Sequence, residues 1–193
     1  MQKKLIIPGQ ALALALAGGW AFMPASKTLS PADYAAWLHN PENELRCSAS
    51  AGQIELTALY KPLESIVLQE ADAKTLASSE AIAERKRALA GLQYYEVQIA
   101  NALTSDPTFQ QYLGTLQQDI ALVDGGDSLA CVLFHHEPSM GVKPHETLLL
   151  GFSRTSNTND KTLLIDLSQL GQGVAALNFS ASALANLPKL STL

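Results

Sequence analysis

Basic charge is scarce in this chain. Thirteen Lys and Arg stand against 18 Asp and Glu in 193 residues, a formal charge of −5. Phosphate backbones are bound through clustered Lys and Arg, so this balance argues against a nucleic-acid partner. The densest basic run, Glu84-Arg85-Lys86-Arg87, is short and reads as the solvated face of a helix. Recognisable catalytic signatures are missing too. Gly151-Phe152-Ser153-Arg154-Thr155 lacks the second glycine of a nucleophile elbow, and Gly171-Gln172-Gly173 is a lone glycine turn rather than a phosphate cradle. Asp119, Asp124 and Asp127 do not follow the ligand order of an EF-hand, and Asp124-Gly125-Gly126-Asp127 is a good tight turn by itself. There are no internal repeats and no low-complexity stretches. What is abundant is apolar material: 47% hydrophobic residues against 16% charged, enough for one folded domain with a real core.

Charge is also absent between Lys4 and Lys27. Lys3 and Lys4 form a positive start, and Leu5 to Ala17 is an uncharged apolar stretch, the pattern of an export signal. Cuts are available after Ala17 or after Ala25. A retained membrane anchor is the alternative, weakened by Pro8, Gly18, Gly19 and Pro24. The stretch LALAGGW, residues 14–20, nearly completes a lipoprotein signal. Leu16, Ala17 and Gly18 fill the first three places, and Gly19 stands where the lipid-bearing cysteine belongs. Residues 1–25 are therefore expected to be a degenerate lipoprotein signal, and 26–193 a single domain.

Only two cysteines occur, Cys47 and Cys131. In an exported chain an even pair is a possible disulfide. Cys131 lies in an apolar strand-like run and Cys47 in a polar stretch, so their environments do not match, and free thiols are the favoured expectation.

Along the domain, Ser30, Pro31 and Asp33 make a helix start, with Leu29 and Tyr34 at the hydrophobic-staple positions. QIELTALY (53–60) and YYEVQIA (94–100) alternate as half-buried strands, and 70–90 reads as an Ala-rich helix ending at Gly91. Phe109, Tyr112, Leu113 and Leu116 suggest a short packed helical segment. Beyond residue 124 the chain turns to strands at 129–135, 147–153, 162–167 and 174–180, separated by Gly-, Asn- and Asp-rich turns. TLLLGF and TLLIDL are apolar on both faces, which predicts a sheet covered on both sides. The fold class is α+β: a mainly antiparallel sheet with an N-terminal helix and a helical insertion.

Reactive side chains are densest in HHEPSMGVKPHE, residues 135–146. A hairpin there brings His135 or His136, Glu137, His145 and Glu146 near one another. Two imidazoles and a carboxylate can hold zinc and leave a position open for water. The spacing is not H-E-x-x-H, and neighbouring strand residues point to opposite faces, so at most one of His135 and His136 joins a given site. Solvated loop histidines are the simpler expectation, and His136→Ala and His145→Ala are then nearly neutral for stability.

Several segments together resemble an uncharacterised group of exported lipoproteins of Gram-negative cell envelopes. They are Tyr34…Trp37-Leu38…Asn43…Leu45, Tyr60-Lys61-Pro62-Leu63-Glu64 and Asp119…Leu122-Val123-Asp124-Gly125-Gly126-Asp127. His135…Glu137…Gly141…Pro144 and Leu149-Leu150-Gly151-Phe152 complete the set, spread over most of residues 30–190. The resemblance implies an envelope location and a lipid-anchored precursor, from which Gly19 departs, and it implies no activity. The expectation is an exported cell-envelope protein, non-enzymatic, structural or binding an envelope component or another protein. No cofactor is called for, and membrane association would run through the N-terminal segment. The alternative is a metal-dependent hydrolase using the 135–146 cluster.

Overall fold

The computed structural model describes residues 27–100, 107–139, 144–156 and 159–192. The signal expected over 1–25, with Gly19, lies outside the described residues. The first elements are a short strand, β1 (Thr28–Leu29), and a helix, α1 (Pro31–Leu38). Ser30 Oγ accepts the Asp33 N–H at 3.2 Å, and Pro31 takes the first helical position, where no donor is needed. The hairpin β2 (Arg46–Ala51) and β3 (Ile54–Lys61) follows, turning at Gly52 with φ +56°.

Three helices then precede β4 (Leu92–Ala100): α2 (Leu63–Glu70), α3 (Ala73–Leu76) and α4 (Ser79–Leu89). The sequence suggested one helix over 70–90. Instead Asp72 and Ser78 each cap a new helix, accepting the Thr75 N–H at 2.8 Å and the Ala81 N–H at 3.2 Å. Such side chains offer the backbone an alternative to continuing the previous turn. Arg85 with Glu70, and Lys86 with Glu64, tie α4 to α2.

The remaining elements are α5 (Pro107–Leu113), β5 (Ile120–Asp124), β6 (Asp127–Ala130), β7 (Leu133–Glu137) and β8 (His145–Ser153). They end with β9 (Lys161–Asp166), β10 (Val174–Phe179), α6 (Ala181–Ala185) and β11 (Lys189–Leu190), which pairs in parallel with β1. The fold is α+β, and its two larger sheets are antiparallel, ordered β2-β3-β4-β8-β7 and β10-β9-β5-β6.

A single main sheet was expected; its strands divide between two, beside the small β1–β11 pair. The run 129–135 is the reason. It breaks at Cys131-Val132, where Val132 is 55% exposed and its N–H donates to Gly151 O at 2.9 Å. The chain thereby leaves the four-stranded sheet after β6 and enters the five-stranded sheet as β7. The two larger sheets bury their apolar faces against each other. Leu56, Val97, Ile99, Leu148 and Leu150 meet Ile120, Leu122, Leu163, Ile165 and Leu177 in one core. Each such side chain contributes roughly 1.5–3 kcal/mol on burial. Tyr95 joins the sheets, with ring centroids 5.7 Å from Phe152 and 5.1 Å from Phe179.

Coverage on the second face is unequal. The five-stranded sheet carries an outer cluster of Leu63, Ile66 and Tyr94 under α2, with Leu92 and Leu133 beside it. Gly151 permits the close approach there, since a Cβ at that position would lie 2.9 Å from Leu133 Cβ. On the four-stranded sheet the outward residues Ala176 and Asn178 are exposed and Leu164 only half-buried, so no described residues supply the expected cover there.

Cys47 and Cys131 are free thiols. Cys47 lies on β2 and Cys131 just ahead of β7, at opposite edges of the five-stranded sheet. Four strand spacings separate those edges, about 19 Å measured along the sheet, whereas a bridge needs Cα atoms within about 7 Å. Burial pushes the Cys47 thiol up to about 11 and raises that of Cys131 as well. Among the described residues no helix is long and apolar enough to cross a membrane.

Candidate functional site

The pleat of the sheet divides the 135–146 cluster. Cross-strand partners share a face, and His136 lies opposite Leu148, a core residue, while His135 lies opposite Leu149 and Glu137 opposite Thr147. Glu146 falls in step with Leu148 and Leu150 on the inner face, and His145 is on the outer one. His136 and Glu146 are therefore brought together, and His135, Glu137 and His145 are kept from them.

Glu146, 2% exposed, is occupied on both oxygens. His136 Nε2 lies 2.8 Å from Oε2, which also accepts the Ser139 N–H at 2.9 Å. Oε1 accepts the Ser139 hydroxyl at 2.9 Å and the Gln110 amide at 3.3 Å. Burial alone would raise this carboxyl; the bonds from His136, Ser139 and Gln110 outweigh it and hold it below the ordinary range. Among the described residues no three His, Cys, Asp or Glu side chains are close enough to hold a metal ion. The histidine is not a loose loop residue, as the sequence suggested. It is half-buried and locks the base of its hairpin.

A second buried cluster lies at the far end of the sheet interface. Period two along β5 puts Asp124 in step with Ile120 and Leu122, and along β9 it puts Lys161 in step with Leu163 and Ile165. The two ionisable residues are direct cross-strand partners, 0% and 7% exposed, and their side chains form an ion pair. Thr155 Oγ1 and the Gln93 amide also donate to Asp124, the latter at 3.3 Å. Gln93 reaches it from the facing sheet, donates to Ser153 O at 3.1 Å, and accepts the Tyr95 hydroxyl at 3.3 Å. Burial pushes the Asp124 carboxyl up, and the bonds from Lys161, Thr155 and Gln93 bring it below its usual value.

This cluster lines a cavity of about 140 Å³. Tyr60, Gln93, Arg154 and Lys161 give it polar walls, and Leu184 and Ala185 of α6 an apolar one. Lys161 and Asp124 offset each other, so the uncompensated charge is that of Arg154, which is exposed and has no acidic partner among the described residues. Burial raises the Tyr60 hydroxyl and the Arg154 guanidinium lowers it again in part, so the two are within electrostatic reach. Tyr60 is 7% exposed, and its hydroxyl has no hydrogen-bond partner among the described residues.

The sequence reading passed over this site. It took Asp124 as a turn residue and Ser153-Arg154-Thr155 as part of a failed elbow, and it left Lys161 outside the strand expected over 162–167. The signal was nevertheless present: alternation in IALVD and KTLLID sets an acid and a base on core faces, where neither belongs alone.

Fold and site together define an α+β protein of two facing antiparallel sheets, with one closed polar cluster and one that opens on a cavity. No protein-family model, no curated protein and no solved structure matches the chain.

Proposed function

We propose that this is an exported cell-envelope protein of the lipoprotein-like group it resembles, and that it binds a ligand or partner rather than transforming one. The observation carrying the second part is the condition of Glu146. A zinc ligand or general base needs a carboxylate oxygen free to meet metal, water or substrate. Glu146 holds four hydrogen bonds across its two oxygens and would have to give some up. The export part rests on Lys3, Lys4 and the apolar run Leu5 to Ala17, followed by Leu16-Ala17-Gly18 with Gly19 in the cysteine place.

Radiolabelled palmitate tests the envelope reading. Lipid attachment requires a thiolate at the junction, so the wild-type chain takes up no label in a Gram-negative host and is recovered from the periplasm. Gly19→Cys becomes labelled and moves to the membrane fraction. A soluble, unlabelled Gly19→Cys protein means that LALAGGW is no lipoprotein signal. Elemental analysis of the purified protein tests the other half: stoichiometric zinc, lost in His136→Ala, would replace the binding reading with the hydrolase.

A further inference from the structure

We infer that the cavity between the sheet ends and α6 is a binding site for a small carboxylate, gripped by the Arg154 guanidinium and the Tyr60 hydroxyl. The inference rests on the binding-module reading and names the ligand class for it.

Arg154 supplies a planar fork of donors matched to the two oxygens of a carboxylate, and it has no acid of its own to satisfy among the described residues. Tyr60 lines the same cavity with its ring buried. Its hydroxyl is accessible there and makes no hydrogen bond to the described residues, so it is free to donate to a ligand oxygen.

Charge selects the class. With Lys161 committed to Asp124, the cavity offers one net positive charge. That suits a monoanion, while a phosphate dianion would add a second negative charge close to the buried Asp124 carboxylate. Size and wall chemistry narrow it further. About 140 Å³ is well below the ~300 Å³ at which drug-sized sites begin. Ala181, Leu184 and Ala185 form an apolar wall for a short alkyl stem. The ligand is thus a carboxylate carrying a few carbon atoms, either a free short acid or the end of a longer chain.

The experiment is an amide-shift NMR titration of the full chain with butyrate, 1-butanol, inorganic phosphate, and an acetylated tripeptide with free or amidated C-terminus. Saturable shifts at Thr155, Lys161 and Leu184 are expected with butyrate and not with butanol. Arg154→Gln weakens butyrate at least about tenfold, the scale of a lost charge-assisted pair, and Tyr60→Phe weakens it several-fold. Arg154 is exposed, so the Gln variant keeps its fold, which the unperturbed remainder of the spectrum verifies. Binding of the free-ended tripeptide as well as butyrate assigns a chain end; butyrate alone assigns a free acid. The inference falls if butyrate gives no saturable shift, if Arg154→Gln binds it as well as wild type, or if phosphate binds more tightly. Failure here leaves the palmitate and zinc results standing, and stoichiometric zinc leaves the titration standing, so the two readings fail separately.

Discussion

Asp124 and Glu146 sit at comparable depth, one on each sheet, and both are held below the ordinary carboxylate range. Their surroundings differ in kind. Asp124 faces Lys161, a cation that is itself 7% exposed, so each charge is tolerable inside because the other is there. Glu146 faces an imidazole whose side chain is 22% exposed, and three of its four bonds come from neutral donors. One cluster is an ion pair at the edge of an apolar interface, beside a cavity; the other is a knot that closes a hairpin. Equal burial of a carboxylate says little about what depends on it. The partner decides.

The largest effect expected from this contrast comes from cutting the ion pair on one side. Asp124→Ala leaves the Lys161 ammonium buried without its counter-charge, at a cost of about 3–5 kcal/mol in chemical denaturation. Asp124→Asn combined with Lys161→Met removes both charges and should recover most of that loss. If the double variant is no more stable than Asp124→Ala, the pair is not what makes the site costly to disturb.

Acid offers a smaller and graded test. Both carboxyls have depressed folded-state values, so their stabilisation is complete above their unfolded values, near 4, and is lost as pH falls through the folded ones. Stability should be level across the mildly acidic range and then fall below about pH 4, by up to about 1.4 kcal/mol per pH unit for each group taking up a proton. Asp124→Asn and Glu146→Gln should each flatten that limb. A variant that keeps the full wild-type slope shows that its carboxylate contributes nothing to it.

The smallest effects separate the histidines of the hairpin. His136→Ala removes the bond to Glu146 and should cost about 1–2 kcal/mol. His145→Ala, on the outer face and without a side-chain bond among the described residues, should stay within about 0.5 kcal/mol. Equal costs would mean that the Glu146 knot is not what distinguishes the two positions.

Much of the architecture was legible in local pattern. The Ser30-Pro31 start, the alternation in 53–60 and 94–100 and the strands after residue 144 all appear within two residues of their expected places. The Asp124–Asp127 turn is a two-glycine hairpin loop with φ +64° and +100°, as its composition requires. Less legible was 46–51, whose small polar residues carry a weak strand signal. Those residues pair only on the β3 side among the described residues, and most of their outward positions are exposed. The pleat separated His135 from His136 already in the sequence, but not which of them turns inward, nor that His136 is held by Glu146 instead of lying in solvent.

The sequence by itself determined where strands run, which residue of each points inward and where helices are capped, since these follow from period, propensity and local hydrogen bonding. It also put an acid and a base in step with core positions. Only the tertiary structure decided that the strands divide between two sheets at Val132, that Asp124 meets Lys161 and Gln93, and that Arg154 and Tyr60 share a cavity. These contacts join residues 31 to 94 positions apart. Chain distance says nothing about which of many apolar faces will cover one another, and that choice is made by packing the whole core at once.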